Sequence, residues 1–279
     1  MSPKHLLLAI LFFCPFSEAG VDVPFKVPRS EIISVQDSST KGMYELYIKL
    51  PKNYSKEKRY PVVYMTDAMY SFQIVSGATR FPINFGRMEN IMLVGISWQK
   101  DFRPDFSRQR DYTPTKDKSW KSPTGSANNH LEFIRRDVIS YIENKYSVDP
   151  NNRTYVGNSL GGLFGAYILL TKPDTFQNYV LGSPSFWYDN EIIFEFESNF
   201  SKSHTALEAD VYIAVGERET PEYTNSRNNM VELSQKFYTI LNERGYKGLN
   251  VKFHIIPSAN HATAFPTTAI QGLWWLHKS

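Results

Sequence analysis

A serine stands between two glycines in Gly157-Asn158-Ser159-Leu160-Gly161, after the apolar run Thr154-Tyr155-Val156 and ahead of a small-residue and apolar stretch, Gly162 to Leu170. The order predicts a buried strand, a sharp turn and a helix, with the serine at the apex. Such a turn forces the serine into a strained conformation, and side chains at the flanking positions would strike the strand and the helix. Glycine at 157 and 161 removes those collisions. Ser159 is thereby the candidate nucleophile, and the N–H of Leu160 is a candidate donor to a developing oxyanion.

A serine is a weak nucleophile until a base takes its proton. Of the six histidines, His261 alone follows directly on the last apolar strand pattern, in Asn260-His261-Ala262-Thr263. His5 falls in the leader, His130, His204 and His277 in a loop, a surface stretch and the chain's end, and His254 inside a strand. An acid to orient the base should follow the preceding strand, Val211 to Val215, in the chain order serine, acid, histidine. Glu219 is the choice there, because a loop can carry it beneath the imidazole, and Glu217 is the alternative. The second oxyanion donor should come from beyond the strand Pro61 to Met65, with Ala68 and Met69 as candidates.

These positions need a sheet whose strand ends share an edge. Glu31 to Ser39 and Tyr44 to Leu50, separated by Lys41-Gly42, predict an antiparallel opening hairpin. Pro61 to Met65, Ile91 to Ile96, Thr154 to Val156, Tyr179 to Gly182, Val211 to Val215 and Val251 to Ile256 read as buried strands. Helical patterns at Leu131 to Tyr146, Gly162 to Leu170, Asn229 to Arg244 and Thr267 to His277 alternate with them. The alternation predicts an α/β fold, with a mostly parallel central sheet and helices on both faces. Asp67-Ala68-Met69 reads as a loop leading into a short helix. Ser97 to His130 shows weak periodicity and reads as a functional or irregular loop.

Composition narrows the function. A net charge of +3 over 279 residues, with no long basic run, excludes nucleic acid as the expected partner. No Cys-x-x-Cys, His-Glu-x-x-His or phosphate-loop pattern occurs, so no metal or other cofactor is expected. The 17 Tyr, 19 Phe and 5 Trp suit a thick core and an aromatic-lined pocket. Residues 1–20 have a short basic start, the apolar run Leu6 to Phe13 and small residues at 17 and 19, the pattern of a secretory signal too short to span a bilayer. Its removal would take away Cys14, the only cysteine, and leave one domain over 21–279 with no membrane anchor. A periplasmic or secreted location is expected, and oligomeric state is left open.

Several motifs in order resemble the esterase D-like branch of the α/β-hydrolases, which includes bacterial esterases and the enterochelin (catecholate siderophore) esterases. They are Tyr60-Pro61-Val62-Val63-Tyr64 leading to Asp67, Arg110-Asp111-Tyr112-Thr113-Pro114, Gly157 to Gly162, Ser183-Pro184-Ser185 with Trp187, Gly216-Glu217-Arg218-Glu219 and Asn260-His261. The resemblance implies an α/β-hydrolase fold with Ser159 as nucleophile, His261 as base, an acid near Glu219, and oxyanion donors around Ala68-Met69 and Leu160. The family's usual histidine before the nucleophile is Asn158 here, and its usual glycine after the strand-end aspartate is Ala68. Siderophore esterases hold their substrates with arginines and aromatics near the site. By that analogy Arg110, Trp98 and Trp187 are candidate substrate contacts, with Arg103, Arg108 and Trp120 nearby in sequence. The competing reading is that Arg110 and Asp111 brace the loop while the tryptophans cover the edge of the core.

The expected function is a serine hydrolase cleaving small-molecule carboxylic esters through an acyl-enzyme at Ser159. A siderophore esterase, an acyltransferase and a non-catalytic binding protein on the same fold are the alternatives.

Overall fold

The computed structural model describes residues 24–224 and 227–279, so the expected leader over 1–20 lies outside the described residues. Strands β1 (Ser30–Gln36), β2 (Met43–Lys49), β3 (Tyr60–Met65), β4 (Met92–Ile96), β5 (Val148–Asn158), β6 (Asn178–Gly182), β7 (Ala206–Gly216) and β8 (Lys247–Ile256) join in the order β1-β2-β4-β3-β5-β6-β7-β8. β1 to β2 and β2 to β4 are antiparallel, and every later pairing is parallel. The parallel strands alternate their side chains between two cores, as period-two geometry demands. Val62, Tyr64, Tyr155, Leu181 and Ile213 face one core. Val63, Met65, Val156, Val180 and Ala214 face the other.

Helices α1 (Ala68–Asn84) and α9 (Ala264–His277) cover one face and pack on each other. The other face carries α3 (Ala127–Phe133) running through a π-helical stretch (Ile134–Ile139) into α4 (Ser140–Lys145), then α5 (Leu160–Thr171) and α8 (Met230–Arg244). α8 starts on an Asn229 side chain that accepts the N–H of Glu232, and ends at Gly245 with φ 61°, a left-handed position suited to glycine. The short helices α6 (Tyr188–Glu191) and α7 (Ile193–Ser201) lie between β6 and β7.

Two segments depart from the sequence reading. The stretch after Asp67 is a 17-residue helix, so Ala68 and Met69 sit in its first turn rather than in a loop. Within Ser97 to His130 lies a further helix, α2 (Pro104–Tyr112), which packs on α3 and α5. It buries Tyr112 against Phe164, and beside it a polar pair: Asp111 accepts from Tyr44 Oη at 3.0 Å, Ser107 Oγ at 3.0 Å and Arg110 Nε at 2.7 Å.

Two histidines read as peripheral are instead buried. His277 bridges Thr154 Oγ1 at 2.8 Å and Glu89 Oε2 at 2.9 Å. His130 packs among Tyr44, Phe133 and Phe164, and burial holds its pKa below the ordinary histidine value.

Candidate active site

Ser159 occupies the turn between β5 and α5 with φ 61° and ψ −119°, a conformation L-residues rarely hold. The turn is fixed on three sides. Ser159 N donates to Gly182 O at 2.9 Å, and its own carbonyl accepts from Leu163 N at 3.0 Å and Ser185 N at 3.1 Å. A Cβ on Gly157 would lie 2.3 Å from the carbonyl oxygen of Gly161, and one on Gly161 would lie 2.6 Å from Thr66 Oγ1. Both glycines are therefore required by the closeness of helix and strand.

Glu219 and His261 are brought together from the ends of β7 and β8. Glu219 is 2% exposed. Its backbone N–H closes a tight turn onto Gly216 O at 3.0 Å. Its side chain folds back so that Oε1 accepts Gly216 N at 2.8 Å and Ser183 Oγ at 2.6 Å. Oε2 lies 2.6 Å from His261 Nδ1. With the carboxylate ionised, that contact puts the proton on Nδ1 and leaves Nε2 as an acceptor. The imidazole is 45% exposed, held in the turn that Asn260 closes by accepting the amides of Ala262 and Thr263. Glu217 points elsewhere: its Oε2 accepts the Ser258 amide at 2.7 Å.

No hydrogen bond joins Ser159 to His261 among the described residues; Ser159 Oγ lies 3.3 Å from Ser185 Oγ. A cavity of about 880 Å³ brings His261, Asn158, Asp67, Trp98, Arg108 and Phe265 onto one surface beside the serine.

The first turns of α1 and α5 meet where Gly161 abuts Thr66. The amides of Ala68 and Leu160 begin their helices and so have no acceptor within them. Ala68 is buried, and its methyl group fits because β4 carries Gly95 opposite: a Cβ there would lie 3.0 Å from Ala68 Cβ. Met69 is 43% exposed.

An ion pair underlies this turn. Asp67, left-handed at φ 55°, receives Arg108 Nε at 2.8 Å on Oδ1 and Arg108 Nη2 at 3.0 Å on Oδ2. Trp98 Nε1 donates to the same Oδ1 at 2.7 Å, and Arg108 Nη2 also reaches Asn158 O at 3.1 Å. Burial opposes the guanidinium charge, but Asp67 outweighs it and holds the Arg108 pKa above its ordinary value. Arg108 therefore ties α2 to the end of β3 and to the residue before Ser159. A bidentate pair 41 residues apart has no local sequence pattern, although α2's run of arginines was a general signal.

Of the other candidate contacts, Trp98 lines the cavity. Arg110 does not; its guanidinium is committed to Asp111, Tyr44 and Gln99. Trp187 stacks on Trp120 with ring centres 6.2 Å apart and does not line that cavity. Arg103 pairs with Asp105 at the surface.

Fold and site together define a serine ester hydrolase of the α/β-hydrolase fold. Residues 38–276 match the Esterase family, described as "Putative esterase", and the chain belongs to it. It is 27% identical over 275 residues to a ferri-bacillibactin esterase of Bacillus subtilis (strain 168), covering 92% of each chain. Among solved structures it resembles the BES protein of Bacillus cereus, with a TM-score of 0.80 at 27% identity over 91% of this chain and 97% of that one. An IroE-like serine hydrolase from Shewanella oneidensis shares the fold, with a TM-score of 0.77 at 23% identity over 88% of this chain and 79% of that one.

Proposed function

We propose that Ser159 is the nucleophile, His261 the general base and Glu219 the acid that orients it. The ester is cleaved through an acyl-enzyme that water then resolves. The observation that carries the assignment is the buried Glu219 carboxylate, 2.6 Å from His261 Nδ1 at the strand-end edge that also presents Ser159. His261 Nε2 takes the Ser159 proton as Oγ attacks, and returns it to the leaving alcohol. In the resting state Ser185 holds Ser159 Oγ, and substrate draws the serine and the imidazole into contact. Such contacts commonly tighten only in the complex. The amides of Leu160 and Ala68 receive the oxyanion, with Met69 as the neighbouring alternative.

The substrate class we infer is a siderophore ester, a bulky iron-chelating molecule with aromatic groups. Support comes from the ferri-bacillibactin esterase that matches this chain along nearly its whole length, and from a cavity of about 880 Å³ whose wall carries Tyr70, Trp98 and Phe265. We further infer a leader over 1–20 ahead of a domain over 21–279, and action outside the cytoplasm. Among the described residues, no helix is long and apolar enough to cross a membrane.

The test has two stages. A fluorophosphonate should label Ser159 in the wild type and fail on Ser159→Ala, with labelling at least about a hundredfold slower in His261→Ala. Ferric and iron-free enterobactin, beside p-nitrophenyl butyrate, then resolve the substrate. Hydrolysis of the aryl ester alone would remove the siderophore assignment and leave the triad standing.

A further inference from the structure

A second cavity, of about 450 Å³, lies outside the catalytic one, between the β1–β2 hairpin and the outer side of α1. Its polar wall is cationic. Lys49, only 7% exposed, donates from Nζ to Ser76 Oγ at 2.8 Å and Ser76 O at 3.2 Å, and has no carboxylate partner among the described residues. An ammonium has three protons, so one remains for a ligand. Arg29, from the segment ahead of β1, and Arg80, from α1, line the same cavity, and neither forms an ion pair among the described residues. The only acidic residue on its wall, among the described residues, is Glu31, whose carboxylate faces away: Oε1 accepts Tyr146 Oη at 2.7 Å on the far side of the sheet. Register explains this, since Lys49 pairs with Ser30 and Glu31 with Ile48, on opposite faces.

A buried charge without a counterion is costly, and two like charges beside it add to the cost. Burial and then Arg29 and Arg80 lower the Lys49 pKa to about 8. The apolar part of the cavity is formed by Val27, Tyr47 and the buried Phe72, with the exposed Ile32 at its rim. Its volume falls in the range of small-molecule sites. We propose that this cavity binds a small amphiphilic carboxylate, its carboxylate held by Lys49, Arg29 and Arg80 and its aryl or short acyl body laid on the apolar side chains. A guanidinium and an ammonium meet a carboxylate with charge-assisted hydrogen bonds, and the apolar side chains exclude water from them. Ala68 and Met69 also line the cavity, so the ligand lies against the same first turn of α1 that the proposed function makes the oxyanion donor.

Calorimetric titration of the full chain with sodium benzoate tests the assignment, with benzamide and inorganic phosphate as comparisons. Benzoate should bind, and benzamide and phosphate should bind at least about tenfold more weakly. Arg80→Ala should weaken benzoate about tenfold, and Lys49→Met should abolish measurable binding. Arg29 and Arg80 are exposed, so Arg29→Ala and Arg80→Ala remain informative if Lys49→Met does not fold. Lys49 faces Arg29, Arg80, the Ser76 hydroxyl and Tyr47, and no carboxylate among the described residues. Benzoate should therefore raise its proton affinity, and titrations at about pH 8 in buffers of different ionisation enthalpy should show uptake of up to about half a proton. Benzoate affinity unchanged in Arg29→Ala and Arg80→Ala would overturn the site. Phosphate or benzamide binding as tightly as benzoate would overturn the ligand class. None of these outcomes bears on the labelling of Ser159.

Discussion

Replacing Glu219 by Gln separates the charge of the acid from its geometry, because the local hydrogen bonds dictate how the new amide must sit. Gly216 N–H can only donate, and it points at Oε1 from 2.8 Å, alongside the Ser183 hydroxyl at 2.6 Å. In Glu219→Gln the carbonyl of the introduced amide must take that position, since the reverse would set an NH2 group against a buried N–H. The amide nitrogen then faces His261 Nδ1, which becomes an acceptor, and the imidazole proton moves to Nε2. The base is left in the wrong tautomer for Ser159. The corresponding loss in Ser-His-Asp triads is about 10⁴ in kcat. We expect about 10³–10⁴ here, or roughly 4–5.5 kcal/mol of transition-state stabilisation. The acceptors of Gly216 and Ser183 are kept, so the fold should lose no more than about 1 kcal/mol.

The assay is kcat and KM on p-nitrophenyl butyrate, with the rate of fluorophosphonate labelling beside it and urea unfolding as the control on folding. Labelling should slow in step with kcat, because both need the activated serine. Glu217→Gln should retain full activity, since that side chain meets only the Ser258 amide. A folded Glu219→Gln enzyme with kcat within about tenfold of wild type would refute the reasoning and leave a serine-histidine dyad.

Arg108→Met strands the Asp67 carboxylate and should cost about 3 kcal/mol in urea unfolding, the lower end for a broken buried pair; adding Asp67→Asn should restore most of the stability while kcat stays depressed, because the first turn of α1 is no longer tied to α2. Gly157→Ala forces a methyl group to 2.3 Å from Gly161 O, and overpacking of about 3 kcal/mol should leave little soluble enzyme and no labelling of what remains. Lys49 has a folded pKa lowered to about 8, below its unfolded value, so the unfolded chain holds more protons above pH 8. Stability should therefore rise from about pH 8 towards 10, by up to about 1.4 kcal/mol per pH unit, and Lys49→Met should remove that slope. Above about pH 10 the sign reverses, because burial raises the pKa of Tyr44, Tyr64 and Tyr179 above the unfolded value; chemical unfolding across roughly pH 7–11 reads both limbs.

The parallel strands were legible at their apolar centres; β5, β7 and β8 start earlier than those runs, in mostly polar stretches such as Asp149 to Arg153 and Lys247 to Asn250 that carry no strand pattern. α1 was legible only at its start. Its outer face carries Tyr70 and Phe81, both exposed, with Phe85 just past its end, and Pro82 falls inside the helix, so the helical period is blurred. α2 hid for the opposite reason: besides Tyr112 at its end, what it buries is Ser107 and Asp111, polar residues satisfied by Tyr44 and Arg110. Proximity to strand ends narrowed the acid to residues just beyond β7. The choice between Glu217 and Glu219 turned on a tight turn at Gly216 that residue types do not specify. The cavity lining was least legible: Arg110 has a stronger pattern in its motif, yet Arg108, two residues earlier, is the arginine that lines the cavity and meets Asp67.

That arrangement explains how a strained turn can persist at the centre of the fold. Ser159 is held at positive φ by glycines that let the start of α5 press against β5 and against Thr66, just beyond β3, and the neighbouring Asp67 is held in turn by Arg108. One guanidinium reaches both Asp67, which starts α1, and Asn158 O, which precedes the serine. The two helix N-termini that would receive the oxyanion are thus tied to each other by a side chain from a helix inserted after β4, in addition to the local bonds that hold each turn. Backbone donors must be in place before charge develops, since reorganising them during the reaction would forfeit the gain. Preorganisation here depends on an ion pair between segments far apart in sequence. For that reason, damage to Arg108 should appear in kcat before it appears in the affinity for substrate.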